Sequence, residues 1–293
     1  MHKKLLYRLA MLLCVAVFLF SGYKVVSYYI EAKKEADLYQ DLNQLVQDAA
    51  QEGKDQANNQ TGSGNGNSSS DGSGSSGDSD TDSKPVDPPL YAESGRLYRY
   101  EELYLQNQDM VGWISVPGTK QGYPVMQTPQ DEEYYLRKNF YKKKSSGGTP
   151  FLDKDSDLED PASRIMVYGH NLKSGGMFTP FTKYTKVSHW KKYPTFTFDT
   201  LYESRTYRIV AVVQVDITQA GHFAYYAYDR FSSAASFNGF LQSAKEAALY
   251  DTGVTAEYGQ QMMIISTCSY HVSGTGGRLA IIAVQEPTDD ISS

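Results

Sequence analysis

The sequence predicts a mainly β protein, with about eight strands in one sheet or barrel and a few added helices. One observation predicts this class, and two more predict an anchor and a linker in front of it. Short apolar segments rich in β-branched residues alternate with turns after residue 96. A long apolar run follows basic residues at the N-terminus. A segment of Gly, Ser, Asn and Asp, which predicts a disordered linker, separates the two.

The N-terminal segment 1–29 is predicted to be a cytoplasmic tail followed by a transmembrane anchor. Lys3, Lys4 and Arg8 precede the apolar run LAMLLCVAVFLFSGY, which with its flanking residues is long enough to cross a bilayer. Positive charge before a span keeps that end in the cytoplasm. The expected location is therefore the cell membrane, with one span and the rest of the chain outside. A cleaved signal peptide is the alternative, although no small-residue cleavage site follows the run.

Residues 30–51 are predicted to form a stalk helix, because helix formers fill them and apolar residues recur near helical spacing. A solvated helix without a partner is the favoured interpretation. Residues 52–89 contain almost no apolar residue, so burial cannot offset their ordering entropy and they are predicted to be a flexible tether. Such a tether would let the folded domain, residues 90–287, search the space above a membrane. Residues 288–293 form a short tail.

The predicted domain begins with an amphipathic helix over 96–108. Its eight predicted strands lie in VGWISV, YPVMQ, TPFLD, RIMVYGH, TFTFD, RTYRIVAVVQVDI, QMMIIST and RLAIIAVQ. One internal helix is predicted over 230–251, where Ser232 or Ser233 can cap the first turn. The spacing favours one β-rich domain without internal repeats.

Charge and cysteine content argue against several classes of function. The net charge is −6, and no concentrated run of Lys and Arg offers a face for nucleic acid. The two cysteines are Cys14, inside the apolar run, and Cys268, inside the domain. They give neither a disulfide framework nor the usual zinc spacing. No cofactor and no metal are expected.

Cys268 is the candidate nucleophile. It follows the apolar strand MMIIST and precedes the loop SYHVSGTGG, so the thiol lies where a buried strand opens into a loop. A thiol attacks as the thiolate, which needs positive charge or a base nearby. Arg278 can supply the charge if the segments before and after the loop pair as a hairpin. A buried, inert cysteine and a solvated arginine remain the alternative interpretation.

His170 is the candidate acid and base. The segment RIMVYGHN puts it at the end of another strand, followed by Asn171. Imidazole exchanges protons near neutral pH, although a surface-turn histidine is the alternative interpretation. His271 is the rival base, but it lies three residues past the thiol and would have to fold back.

These residues together resemble a known family. The pattern VYGHN…MF with STCSY…R resembles the sortases, cysteine transpeptidases of the surface of Gram-positive bacteria, over residues 96–286. The segments NQDMVGWISVPGTKQGYPVMQ, DEEYYLRKNFYKKKSSGGTPFLD and IISTCSY are most similar to class B. The resemblance implies an eight-stranded sortase-type β-barrel with added helices behind a membrane anchor.

The resemblance also implies a mechanism. Cys268 would attack the Thr carbonyl of a C-terminal sorting motif on a surface protein, with His170 as general acid and base and Arg278 stabilising the substrate or the oxyanion. The thioester would pass to an amine of a cell-wall peptide, on lipid II or peptidoglycan. Further candidates for substrate contacts are Ser266, Thr267, Asn171, Tyr225 and Tyr226.

Three alternatives bear on the function. A sortase that polymerises pilins would use a Lys side chain as acceptor, but the Gly/Ser-rich tether is a poor candidate for the lid of such an enzyme. A catalytically inactive, surface-tethered peptide-binding domain would be favoured by loss of the Cys, His or Arg, and all three are present. A papain-like hydrolase is disfavoured because its Cys opens a helix rather than following a strand.

Overall fold

The computed structural model of the protein describes residues 2–61, 91–269 and 276–287. Most of the predicted tether lies outside the described residues, and so do His271 and the tail 288–293. The described part of the chain forms four α-helices, three short 3-10 helices and eight strands.

The element bounds agree with the predicted order. The α-helices are α1 (His2–Thr61), α2 (Tyr98–Gln106), α3 (Val187–Lys192) and α4 (Ala234–Glu246), and the 3-10 helices are Tyr134–Arg137, Thr179–Thr185 and Tyr225–Ala227. The strands are β1 (Met110–Ser115), β2 (Gly122–Met126), β3 (Phe151–Leu152), β4 (Arg164–Tyr168), β5 (Thr195–Thr200), β6 (Ser204–Asp216), β7 (Met262–Cys268) and β8 (Gly277–Gln285). The eight predicted strands and the helices predicted over 96–108 and 230–251 are confirmed.

The eight strands close into a barrel in the order β1-β2-β3-β4-β7-β8-β6-β5, and β5 pairs with β1. Two neighbouring pairs are parallel, β2 with β3 and β4 with β7. The other pairs are antiparallel. Because β4 and β7 run in the same direction, both end at one rim of the barrel, and the antiparallel β8 begins there.

Alternation along the central strands separates two apolar layers. In β7, Met263 and Ile265 contribute to the cluster that fills the barrel, whereas Met262 and Ile264 belong to a second cluster on the outside. Successive side chains of a strand point to opposite faces, so a strand buried on both sides reads as a continuous apolar run. This explains why MMIIST lacks polar alternation.

Helix α4 covers the outer layer. Its buried residues recur at helical spacing and are Phe237, Phe240, Leu241 and Ala244. The Ser233 hydroxyl accepts a hydrogen bond from the Ser236 amide at 3.2 Å, which satisfies one of the free N–H groups of the first turn. Of the two predicted caps, the structure therefore selects Ser233.

Helix α1 runs through the predicted anchor and stalk without a break and ends at Thr61, beyond the predicted end at residue 51. By length and composition it contains a stretch apolar enough to cross a membrane, and none of that stretch is buried against the rest of the chain. The N-terminal half of α1 is therefore a candidate membrane span.

The favoured interpretation of residues 30–51 as a solvated helix without a partner is wrong. Leu42 is fully buried and Tyr39 is only 6% exposed, because both pack into the apolar cluster of the barrel. Asn43 donates from Nδ2 to the Gly122 carbonyl at 2.9 Å and accepts from the Gly122 amide at 2.8 Å. Since α1 is bound to the barrel before the Gly/Ser-rich segment begins, that segment does not separate the barrel from the span.

Candidate active site

Three strand ends bring the predicted catalytic residues to one rim. In the antiparallel pair of β7 and β8, Cys268 lies directly opposite Arg278. The pairing of the two segments on either side of the loop is therefore confirmed. Directly opposite residues on adjacent strands have their Cβ atoms about 5 Å apart, so a guanidinium there adds positive charge beside the sulfur.

The end of β4 brings His170 to the same rim. Beyond the last paired residues of β4 and β7, the Gly169 amide donates to the Ser266 carbonyl at 3.2 Å, and Thr267 Oγ1 donates to the Gly169 carbonyl at 2.7 Å. A Cβ on Gly169 would come within 2.3 Å of the Phe178 ring, so only glycine fits this close approach. These contacts fix the backbone immediately before His170.

A backbone carbonyl orients the His170 ring. The Nε2 atom lies 2.9 Å from the Leu136 carbonyl oxygen. A carbonyl can only accept, so Nε2 carries the hydrogen in this bond. In neutral His170 the lone pair then resides on Nδ1, which is the nitrogen able to take a proton from a reacting group.

Asn171 joins the end of β4 to the Cys268 backbone. Its Nδ2 donates to the Cys268 carbonyl at 2.9 Å, and the residue is buried. A donor held by the backbone in this way fixes the relative position of the two strand ends.

The three predicted catalytic residues line one cleft of about 330 Å³. The other described residues of its lining are Glu132, Glu133, Leu136, Thr149, Phe151, Tyr168, Gly169, Ser266 and Thr267. Cys268 is partly exposed, so the thiol is not sealed in the core. A cleft of this size at a barrel rim can admit an extended peptide.

Arg278 and Tyr225 act on each other electrostatically beside the thiol. Burial raises the pKa of Tyr225, and the positive charge of Arg278 opposes that rise. The Tyr225 hydroxyl lies 2.8 Å from the Ser266 hydroxyl, which stands two residues before Cys268. The Arg278 Nη1 donates to the Gly277 carbonyl at 3.0 Å, which holds the guanidinium near the start of β8.

The predicted substrate contacts divide into two groups. Ser266 and Thr267 line the cleft, whereas its described lining does not include Asn171, Tyr225 or Tyr226. Tyr225 is buried, and the exposed Tyr226 hydroxyl bonds to His222 Nε2 at 2.7 Å. Substrate contact by these residues stays a prediction.

The far wall of the cleft was not predicted residue by residue. Leu136, Thr149, Phe151 and Glu132 come from the segment between β2 and β4, which in the sequence carried only a general resemblance. The role of the Leu136 carbonyl cannot be predicted from the sequence, because every residue has a backbone carbonyl. Burial raises the pKa of Glu132, and the negative charge of Asp153 adds to the rise.

Among the residues that the structure describes, no group of three or more His, Cys, Asp or Glu side chains could hold a metal ion. The reactive groups in the described lining of the cleft are the Cys268 thiol, the His170 imidazole and the Arg278 guanidinium.

No protein-family model matches the chain. Two curated relatives do. Sortase B of Listeria monocytogenes is 29% identical over 180 residues, which are 61% of this chain and 71% of the relative. Sortase B of Staphylococcus aureus is 23% identical over 283 residues, which are 97% of this chain and 98% of the relative.

The chain is also similar to solved structures of sortase B. Sortase B from Bacillus anthracis, in complex with AAEK1, superposes with a TM-score of 0.57 at 28% identity, over 66% of this chain and 86% of that one. A Staphylococcus aureus sortase B–substrate complex gives a TM-score of 0.67 over 89% of this chain and 100% of that one. At 21% identity, the second similarity concerns the fold alone.

The closed barrel and its similarity to these structures make the fold a sortase fold. Within that fold, the chain is a homologue of the class B sortases. This homology supports an enzyme of the sortase type and does not favour the pilin-polymerising alternative.

Proposed function

We propose that the protein is a membrane-anchored cysteine transpeptidase that cleaves a sorting motif after its Thr and joins the upstream protein to a cell-wall amine. The observation that carries the proposal is the common cleft of Cys268, Arg278 and His170. Homology to class B sortases supports the reaction type.

In the first half-reaction, the Cys268 thiol gives its proton to His170, and the Sγ thiolate attacks the carbonyl carbon of the Thr. The negative charge that develops on the carbonyl oxygen is stabilised by Arg278, whose guanidinium lines the same cleft. The tetrahedral intermediate collapses, the C–N bond after Thr breaks, and the leaving amine takes a proton from His170. A thioester joins the substrate to Cys268.

In the second half-reaction, the acceptor amine gives a proton to His170 and attacks the thioester carbonyl. The C–S bond breaks, and a new amide forms. One amide replaces another, so the exchange needs no external energy source. We propose a peptide amine of lipid II or peptidoglycan as the acceptor, because α1 holds the barrel beside a candidate membrane span.

The sorting-motif substrate is proposed from the relatives. A Staphylococcus aureus sortase B has been solved as a complex with substrate, which supports the general proposal that this chain binds a substrate of that kind. The location proposed for this chain is the cell membrane, with the N-terminus in the cytoplasm and the barrel outside.

A peptide-cleavage assay on the full chain in detergent tests the proposal. The substrates are fluorogenic peptides with varied sorting-like motifs. We expect a thioester mass adduct on wild-type protein, no adduct and no cleavage with Cys268→Ala, and normal activity with the matched control Cys14→Ala. His170→Ala and Arg278→Ala should each lower kcat/KM by about 100-fold or more.

The alternatives give different results when the same assay is run with a cell-wall peptide amine and a Lys-containing peptide as competing acceptors. An inactive peptide-binding domain would bind peptides without any adduct. A pilin-type enzyme would transfer the acyl group to a Lys side chain in preference to a cell-wall peptide amine. Wild-type activity in either His170→Ala or Arg278→Ala would remove that residue from the mechanism.

A further inference from the structure

Helix α1 contacts the wall of the cleft, not only the side of the barrel. Its Tyr39 hydroxyl donates to the Gly148 carbonyl at 2.6 Å and lies 3.0 Å from Thr149 Oγ1. Thr149 itself lines the cleft. One helical turn earlier on the same face, Glu35 binds the neighbouring segment.

Glu35 holds three consecutive residues of the segment that leads to Thr149 in that wall. Its Oε1 accepts from Ser145 Oγ at 2.5 Å, from the Gly147 amide at 3.1 Å and from Ser146 Oγ at 3.4 Å. A carboxylate that accepts backbone and hydroxyl hydrogens makes stronger bonds than a neutral acceptor. Two successive turns of α1 are therefore attached to the wall and to the segment immediately before it.

Two parts of the wall also contact each other: Gly148 and Thr149 pack against the 3-10 helix Tyr134–Arg137, which contains Leu136. The Thr149 amide donates to the Tyr135 carbonyl at 3.1 Å. Gly148 has a φ of +62°, and a Cβ there would come within 2.6 Å of the Leu136 carbonyl oxygen. The backbone at Gly148 thus packs directly on the carbonyl that accepts from His170 Nε2.

We propose that Tyr39 is a positioning residue of the active site: through Gly148 and Thr149 it holds the wall whose Leu136 carbonyl orients His170. The path from α1 to the imidazole consists of one hydrogen bond, one backbone packing contact and one further hydrogen bond. Helix α1 then sets the tautomer and the orientation of the His170 imidazole. The catalytic meaning of this contact rests on the proposed function, but the contact itself does not.

Asn43 provides a matched control on the same helix. It lies one turn beyond Tyr39 and binds Gly122 at the start of β2, which is not part of the described lining of the cleft. Asn43→Ala therefore loosens the docking of α1 without removing a contact to the wall. Tyr39→Phe removes the hydroxyl and keeps the buried ring.

The test measures the His170 tautomer in full-length protein with ¹⁵N-labelled histidine, reconstituted in nanodiscs. The His170 signal is assigned by its loss in His170→Ala. Wild-type protein should show the tautomer protonated at Nε2. Tyr39→Phe should give a mixture of tautomers, with amide exchange of residues 136–149 raised about tenfold or more. Asn43→Ala should leave the tautomer unchanged.

Three results would overturn the proposal: an unchanged tautomer in Tyr39→Phe, an equal change in both variants, or a change in Asn43→Ala alone. If Tyr39→Phe does not fold, Glu35→Ala replaces it. Glu35→Gln, which keeps an acceptor oxygen for Ser145 and Gly147, should then restore the wild-type spectrum.

An activity measurement adds the catalytic consequence. Once the cleavage assay has identified a peptide substrate, Tyr39→Phe should lower its kcat about tenfold with little change in KM. The reason is that a misoriented His170 slows the chemical step more than it weakens binding. Absence of cleavage by wild-type protein would count against the proposed function and leave the spectroscopic result standing.

Discussion

At the scale of single residues, the chemistry of the site depends on which side-chain atoms can donate hydrogen bonds. The Arg278 guanidinium offers a planar fork of N–H groups, and its Nη1 donates to the Gly277 carbonyl at 3.0 Å. Arg278 also lines the cleft that contains Cys268 and His170. In the proposed mechanism the guanidinium supplies both charge beside Cys268 and directed hydrogen bonds to the developing oxyanion.

Arg278→Lys separates these two contributions. Lys keeps the positive charge opposite Cys268 but lacks the fork, so we expect kcat/KM to fall about 10- to 100-fold, less than in Arg278→Ala. The rate of Cys268 alkylation by iodoacetamide should stay close to wild type in Arg278→Lys and fall in Arg278→Ala. Equal loss of peptide cleavage in both variants would mean that charge alone does not help catalysis.

At the scale of elements, helix α4 supports the strands that end at the site. It packs on the outer face of the barrel through an apolar cluster in which Phe237 and Phe240 join residues of β4, β6, β7 and β8. Its N-terminal turn depends on the Ser233 hydroxyl. The loop between β6 and α4 contains Tyr225, whose hydroxyl reaches Ser266 on β7. Loss of the packing of α4 would therefore disturb the position of β7, the strand that carries Cys268.

Ser233→Ala should destabilise the protein by about 1 kcal/mol, because the Ser236 amide loses its acceptor. For a domain of this size, the melting temperature should fall by about 2–4 °C. The adjacent Ser232→Ala is the matched control, since Ser232 is also exposed and does not cap the helix. Thermal unfolding followed by circular dichroism measures both, and equal shifts would rule out the cap as the cause.

At the scale of the whole molecule, buried tyrosines link elements that are far apart in the chain. Of the 24 tyrosines, Tyr100 of α2 donates to Asp199 of β5, and Tyr207 of β6 donates to Gln261 at 2.8 Å. Burial raises the pKa of Tyr207 to about 12 and that of Tyr100 well above its ordinary value. The negative charge of Asp199 adds to the rise at Tyr100.

These shifts predict alkaline instability. Tyrosine with a raised pKa in the folded state stabilises the fold below its unfolded pKa of about 10, and that contribution is lost as the pH rises toward the folded value. The free energy of unfolding should therefore fall between about pH 10 and pH 12. Denaturant titrations across this range measure it, together with tyrosinate absorbance. Ionisation of all tyrosines without unfolding would contradict the prediction.

The sequence by itself determined the strands, their approximate number, the two main helices of the barrel and the apolar N-terminal run. These follow from local pattern: period-two or continuous apolar segments, helical spacing, and a serine before a helical stretch. It also singled out Cys268, His170 and Arg278, because each stands where an apolar strand meets a loop and because the resemblance matched all three.

Only the tertiary structure decided how these pieces meet. The parallel pairing of β4 and β7 brings His170 to the rim of Cys268, and sequence pattern does not encode which strands become neighbours. The Leu136 carbonyl and the docking of Tyr39 were likewise beyond sequence reasoning. Every residue has a backbone carbonyl, so the sequence does not indicate which one will accept a hydrogen bond. The sequence pattern of a helix that packs against one wall is similar to that of a solvated helix, because the surface that it packs against forms only when the chain folds.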